Sequence, residues 1–299
     1  MSSYLEANAR ERMAQLLDPG SFTEFLPPAE RIVSPHLAQL DAPVSFDDGV
    51  IVGRGSLHGA TVFAAAQEGG FMGGAVGEVH GAKLVGMLKR AVAEEADGVI
   101  LLLETGGVRL HEANAGLIAV SEVMRAVLDT RAAGIPVIVL IGGSNGCFGG
   151  MGIVARCTNA IIMSEEGRLA MSGPEVIETA NGVEEFDSRD RALVWRTSGG
   201  KHRYLLGDCQ DIVADDIDAF RDAAWRTLQV LRSASSELTL ENMEAEHAML
   251  TERMQRFGDA QDPMEIWTRL GVVAAQDIPM LEAAAFVAQN QALRQGVQA

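Results

Sequence analysis

Between Ala7 and Leu17 charged and apolar residues interleave at helical spacing, and Asp18-Pro19-Gly20 ends the run with turn chemistry, so a helix and its stop are predicted there. Gly49-Val-Ile-Val-Gly-Arg-Gly55 and Ala60-Thr-Val-Phe-Ala-Ala-Ala-Gln67 read as two strands joined in a hairpin around His58-Gly59. Gly69, Gly70, Gly73, Gly74 and Gly77 make the next stretch a loop. His80, Leu84, Met87, Leu88 and Ala91 then recur at helical period, predicting an amphipathic helix to about Glu95.

The period changes again in the middle of the chain. Val99-Ile-Leu-Leu-Leu103 is a short branched apolar run, the pattern of a strand buried on both faces. Val120, Val123, Met124, Val127 and Leu128 share a helix face, with Gly134 at the expected stop. Pro136-Val-Ile-Val-Leu-Ile141 is a second buried strand. A glycine loop and a short helix near Met151 to Ala155 lead to a third, Ala160-Ile-Ile-Met163, and Leu169-Ala-Met-Ser172 reads as a further short strand. Strand, helix, strand, helix, strand at these lengths implies right-handed crossovers and a parallel sheet, an α/β fold.

Beyond Gly173 the chain turns polar. Helices are expected from Asp187 to Val194, over Ile217, Phe220, Ala224, Leu228 and Leu231, and from Glu241 to Arg256. Thr197-Ser-Gly-Gly200 reads as a flexible break, and the Ala- and Gln-rich tail after Asp277 as helical. Ser233 to Ser236 is the one candidate linker. The expected organisation is a main domain over 1–235 and a helical C-terminal appendage over 236–299.

Composition narrows the function classes. Aromatics are 5% of the 299 residues while glycine reaches 32, so the core is aliphatic and tight turns abound. A net charge of −17 argues against a nucleic-acid partner, which needs clustered Lys and Arg. No apolar run approaches the ~20 residues that cross a bilayer, and the charged opening residues lack a signal-peptide core, so a cytoplasmic protein is expected. Cys147, Cys157 and Cys209 are isolated thiols, with no zinc-binding pair among them.

The candidate chemistry sits at two strand ends. Leu103 runs into Glu104-Thr-Gly106-Gly107, and Ile141 into Gly142-Gly-Ser-Asn-Gly-Cys-Phe-Gly149-Gly150. Ligands bind beyond the carboxyl ends of parallel strands. Glycines there expose backbone N–H groups, and a helix start adds positive potential. Gly106, Gly107, Gly149 and Gly150 are therefore candidate oxyanion-hole residues. Gly142-Gly-Ser144-Asn-Gly146 also matches the G-x-S-x-G nucleophile elbow, but further residues separate it from the helix, and only His202 and His247 lie downstream to complete a triad. Gly150-Met-Gly152-Ile-Val-Ala155 fits a dinucleotide fingerprint by spacing alone, with no acidic residue ending the next strand. Arg109, His111 and Glu112 stand where they could rim a pocket. His111-Glu112 is not continued to H-E-x-x-H, so no metal site is expected. His80, on an apolar helix face, reads as a satisfied core histidine, and Glu165-Glu166 as a turn.

Four segments in order carry a resemblance. Ala9 to Phe22, Asp48 to Gly59, Glu104-Thr-Gly-Gly-Val-Arg109, and Gly146-Cys-Phe-Gly-Gly-Met151 with Met171-Ser-Gly-Pro-Glu-Val176 resemble the carboxyltransferase family of acyl-CoA carboxylases over roughly residues 7 to 215. The resemblance implies a crotonase (ClpP-like) fold. There is no N-terminal four-cysteine ribbon and a single crotonase half; Glu104-Thr replaces Asp-Ser, and Cys147-Phe148 replaces Cys-Ala. Within the family the chain is most similar to beta subunits of biotin-independent malonate decarboxylases. That resemblance implies a malonyl thioester on an acyl carrier protein with a dephospho-CoA-derived prosthetic group, a gamma subunit as the second crotonase half, and an alpha transferase subunit. It also implies substrate contacts from Arg109, Gly146, Cys147, Phe148 and Met151. A biotin-dependent carboxyltransferase and a non-catalytic scaffold half remain the alternatives. Loss of CO2 from a malonyl thioester needs no base, because the leaving carboxylate supplies the electrons. Backbone donors for the enolate oxygen suffice, which fits a chain without an evident His, Cys or metal set.

Overall fold

Residues 2–233 and 238–294 are described by the computed structural model. Helix α1 (Ala9–Leu16) starts at Asn8, whose side chain and Glu11 form a reciprocal capping box. It leads to strand β1 (Thr23–Phe25), then to β2 (Val50–Leu57) and β3 (Ala60–Gln67). The β2–β3 turn is the expected hairpin: Leu57 pairs with Ala60, and His58 and Gly59 both take positive φ, 48° and 82°. Asp18 caps this turn, accepting from the N–H groups of both residues.

Crossover helices then alternate with parallel strands: α2 (Glu78–Ala93), β4 (Gly98–Leu102), α3 (Asn114–Ala132), β5 (Val137–Ile141), α4 (Gly149–Arg156) and β6 (Ala160–Ser164). Three short helices, α5 (Pro174–Asn181), α6 (Arg191–Ser198) and α7 (Gly200–Leu205), precede β7 (Asp211–Val213). The described strands form one sheet in sequence order, β1 to β7, antiparallel through β3 and parallel from β3 onward. The chain is thus α/β with a mostly parallel sheet.

Both sheet faces are covered, which is why β4 and β5 read as unbroken apolar runs. Val99, Leu101 and Val139 pack with α2, α3 and α4 on one side. Ile100, Leu102 and Leu140 face α1 and α8 (Ile217–Ser233) on the other. The N-terminus is fastened to α8: Ser3 Oγ and the Leu5 N–H donate to Asp215, and the Ile217 N–H donates to Ser2 O.

After α8 come α9 (Leu240–Phe257), α10 (Pro263–Arg269) and α11 (Ala283–Asn290). Of the Ser233–Ser236 linker reading, Ser233 closes α8 and positions 234–236 lie outside the described residues. Trp267, Val272, Ile278 and Phe286 from this C-terminal part join the core on the α2–α4 side of the sheet. No helix among the described residues is long and apolar enough to cross a membrane.

Three local expectations are corrected. Leu169–Ser172 forms no strand: Leu169 makes an isolated bridge to Cys147, and its N–H donates to Ser198 O, so the segment lines a loop. The helix expected at Asp187 begins at Arg191, because the Asp190 side chain accepts from the Leu193 N–H and caps it there. The break expected at Thr197–Gly200 is mostly helix, with only Gly199 between α6 and α7.

Candidate functional site

β4 and β5 run side by side, so the glycine pairs that follow them emerge at the same edge of the sheet. The two loops are then laced together. Thr105 N–H donates to Gly146 O at 2.8 Å, and Phe148 N–H returns to Thr105 O at 2.9 Å. A third segment lies alongside, with Cys147 N–H donating to Arg168 O and Gly149 N–H to Met171 O, both at 2.8 Å. Gly107 and Gly149 take φ of 125° and 63°, and a Cβ on Gly149 would lie 2.9 Å from the Gly107 Cα. Side chains are excluded at this contact, which explains glycine at both positions.

Most of the candidate donors are already engaged. Gly106 N–H donates to Gly73 O at 2.8 Å, Gly107 N–H to Thr105 Oγ1 at 3.0 Å, and Gly149 N–H to Met171 O. Gly150 differs. Among the described residues its N–H has no protein acceptor. It lies in the first turn of α4, where the helix dipole favours negative charge.

A buried acid braces this edge. Glu104 ion-pairs with Arg12, and both side chains are almost wholly buried. Its Oε1 accepts from Ser144 Oγ at 3.0 Å and from the Asn145 N–H at 3.2 Å. Its own N–H donates to Gln67 Oε1 at 3.1 Å. Arg12 in turn donates to Tyr4 O at 2.7 Å. The β4 loop, the β5 loop and α1 therefore share one carboxylate. Sequence reasoning missed this role, although an acid directly after a fully apolar strand was its signal.

Arg109 was expected to rim the pocket and does not. Its side chain is fully buried, bonded to Asp48 at 2.8 and 3.0 Å and to Glu112 at 2.9 Å. Glu112 also accepts from Ser34 Oγ and from the Glu78 N–H. Burial pushes the Asp48 carboxyl up, while Ser34, the Glu78 N–H and Arg109 outweigh burial at Glu112 and hold it down. These contacts join segments far apart in sequence and leave Arg109 no route to a ligand.

Among the other expected contacts, Cys147, Phe148 and Met151 turn their side chains into the core, and Gly146 has only backbone to offer. Burial pushes the Cys147 thiol well above its ordinary range, so it stays protonated. Ser144 Oγ bonds to Glu104, not to a histidine. His80 is a satisfied core residue, as the sequence suggested: Nδ1 meets Asp48 O at 3.1 Å, Nε2 meets Gln67 Nε2 at 3.0 Å, and burial holds its pKa down to about 3. His202 is likewise held down to about 3 by burial, and its Nδ1 accepts from Trp267 Nε1. Glu165-Glu166 forms the expected turn. No cluster of three or more His, Cys, Asp or Glu able to hold a metal occurs among the described residues.

Exposed apolar residues follow the first glycine pair along the chain and occur in and after the segment bonded to Gly149. Leu110, Leu117, Ile118, Met171 and Val176 are exposed. On α4, Ile153 and Gly152 line a groove of about 380 Å³ shared with Met171 and with Leu250 of α9.

The chain is similar to known proteins over most of its length. The carboxyl transferase domain pattern matches residues 6–248. The chain is 41% identical to the Malonyl-S-ACP:biotin-protein carboxyltransferase MADC of Malonomonas rubra, over 98% of this chain and 96% of that one. It is 30% identical to the methylmalonyl-CoA carboxyltransferase 12S subunit of Propionibacterium freudenreichii subsp. shermanii, over 77% of this chain but 41% of that protein. Among solved structures, a chain of a Pseudomonas malonate decarboxylase hetero-tetramer in complex with malonate superposes with a TM-score of 0.81. That chain is 37% identical, and the match covers 90% of this chain and 97% of that one.

Proposed function

The chain belongs to the carboxyl transferase domain family, and from that premise we propose that it is the beta subunit of a malonate decarboxylase. With a second crotonase-type half, it converts a malonyl thioester on an acyl carrier protein to the acetyl thioester. The observation that carries the reading is the open Gly150 N–H at the start of α4, set by the Gly107–Gly149 contact. As CO2 leaves, the C–C bond electrons move to the α-carbon and charge develops on the thioester oxygen. Gly150 N–H and the α4 dipole stabilise that charge, the kind of donor whose removal typically costs a few kcal/mol. A proton from solvent then completes the acetyl group.

The second half is the gamma subunit of the resemblance. It covers the exposed apolar residues Leu110, Leu117, Ile118, Met171 and Val176 and excludes water from the reacting carboxylate. The hetero-tetrameric Pseudomonas relative supports a hetero-oligomer. The thioester arrives on the dephospho-CoA-derived arm of a carrier protein, loaded by an alpha transferase subunit.

A second reading has its own support. The Malonomonas rubra relative is named for carboxyl transfer to a biotin protein, so the carboxyl group could pass to biotin instead of leaving as CO2. One experiment separates the readings. The chain is co-purified with its neighbouring gene products, and malonyl-thioester decarboxylation is measured with and without avidin. Avidin-insensitive turnover by the complex, with none from the isolated chain, is the expected result. Avidin inhibition favours the biotin route, and full activity of the chain alone sinks the two-half site.

A further inference from the structure

Arg168 is a cation without an anion. Among the described residues no carboxylate lies within ion-pairing distance of it; Glu175, Glu166 and Glu104 act on it only from further off. Its Nη2 donates to Ser144 O, and among the described residues its Nη1 meets no acceptor. The guanidinium lies over the rings of Phe148 and Trp195, at 5.7 and 4.7 Å from their centroids. Two rings and one carbonyl thus fix its plane while donors stay unfilled.

Its place in the fold is specific. Arg168 O accepts from Cys147 N–H, and three residues on Met171 O accepts from Gly149 N–H. The side chain therefore hangs from the segment beside the glycine turn, over the residue that precedes Gly149. Unfilled donors on a half-buried cation are unfavourable unless something takes them. The planar fork of a guanidinium suits two oxygens of one carboxylate or phosphate. In a chain of net charge −17, a surplus of cations does not explain an unpaired arginine at the ligand-binding edge of the sheet.

We propose that Arg168 is the anion-binding residue of this site, receiving an anionic oxygen group of the acyl thioester. The group is the carboxylate of the malonyl unit or a phosphate of the arm that carries it. The inference builds on the functional reading above. A phosphate does not react, so a grip on it persists into the transition state, lowering KM and leaving kcat untouched; a grip on the departing carboxylate weakens as its charge is lost, lowering KM and kcat together.

The test uses the assembled complex and four non-reacting thioether analogues of malonyl- and acetyl-pantetheine, each with and without the terminal phosphate. Arg168→Gln weakens binding by about 10- to 100-fold, the worth of a hydrogen-bonded charge, only for analogues carrying the recognised anion. Loss confined to the malonyl pair identifies the carboxylate, and loss confined to the phosphorylated pair identifies the phosphate. Arg168→Lys recovers part of the affinity, and it carries the test should the glutamine variant fail to assemble. Equal loss on all four analogues, uncharged acetyl-pantetheine included, reduces Arg168 to a brace for the loop and overturns the proposal, as does no loss on any. If the wild-type complex neither binds nor turns over malonyl thioesters, the functional reading falls and this inference with it.

Discussion

Gly149 and Gly107 meet through their backbones, so closely that a Cβ on Gly149 would stand 2.9 Å from the Gly107 Cα. This contact registers the ends of β4 and β5 against each other. Gly149→Ala adds that clash to an αL conformation that itself costs about 1–2 kcal/mol. The variant is expected to fold and assemble but lose most turnover. Unchanged kcat would show that the contact is incidental.

Gly150 invites a cleaner experiment. Its φ is not positive, yet a Cβ there would meet Val120 Cγ1 at 2.7 Å. Gly150→Ala keeps the N–H but presses on α3, so it impairs activity, and Val120→Ala in the same chain restores it. In the Val120→Ala background, Gly150→Pro deletes the donor and lowers kcat by ~10²-fold or more. Proline is tolerated in a first helical turn, so thermal melting should change little. If the proline variant turns over normally, the oxyanion is held by the partner half.

Ser144 gives the opposite expectation. Its hydroxyl is bonded to Glu104 and faces no histidine. Ser144→Ala therefore removes one hydrogen bond, worth about 1 kcal/mol of stability, and leaves most activity intact. Stoichiometric labelling of Ser144 by a fluorophosphonate, with loss of turnover, would restore the hydrolase reading.

Arg109→Met tests structure against substrate binding. Asp48 and Glu112 lose their shared buried counter-charge, and breaking such a pair costs about 3–5 kcal/mol. A lowered urea midpoint with unchanged KM in the surviving folded fraction is expected. A raised KM at normal stability would return Arg109 to the site.

Acid should unfold this protein early, and the sign follows from two histidines. Burial holds His80 and His202 down to about 3 in the folded chain, against about 6.5 when unfolded. Below pH ~6.5 the unfolded chain takes up protons that the folded one refuses, so stability falls as pH drops toward 3. At pH 5 each histidine accounts for about 2 kcal/mol. Urea titrations at pH 7.5 and 5.0 check this, and His202→Gln should halve the difference. Equal midpoints at both pH values would mean that the rings protonate without unfolding.

The strands and crossover helices were legible because burial on one or two faces writes itself into apolar spacing. The glycine pairs were legible as a meeting of strand ends, since parallel neighbours must terminate together. Which N–H groups stay open was not. Gly106 and Gly149 donate to Gly73 and Met171, carbonyls supplied by other loops, and no local pattern announces such partners. Arg109 misled for the same reason, because its counter-ion Asp48 comes from the turn before β2. Leu169–Ser172 looked like a strand because a buried apolar segment has that composition whether or not it joins a sheet.

The fastening of residues 2–5 to the start of α8 bears on how the chain emerges from the ribosome. Strands that pair in sequence order let the sheet grow as it is synthesised. The face that carries Tyr4, Met13 and Leu16 is different, since it stays unsealed until Ile217 and Phe220 arrive. For most of translation the nascent polypeptide presents a half-covered sheet, the kind of surface that chaperones recognise and that aggregates when they are scarce. Expression in a host short of folding helpers should therefore fail at this step, and slowing elongation after residue 213 should make the failure worse.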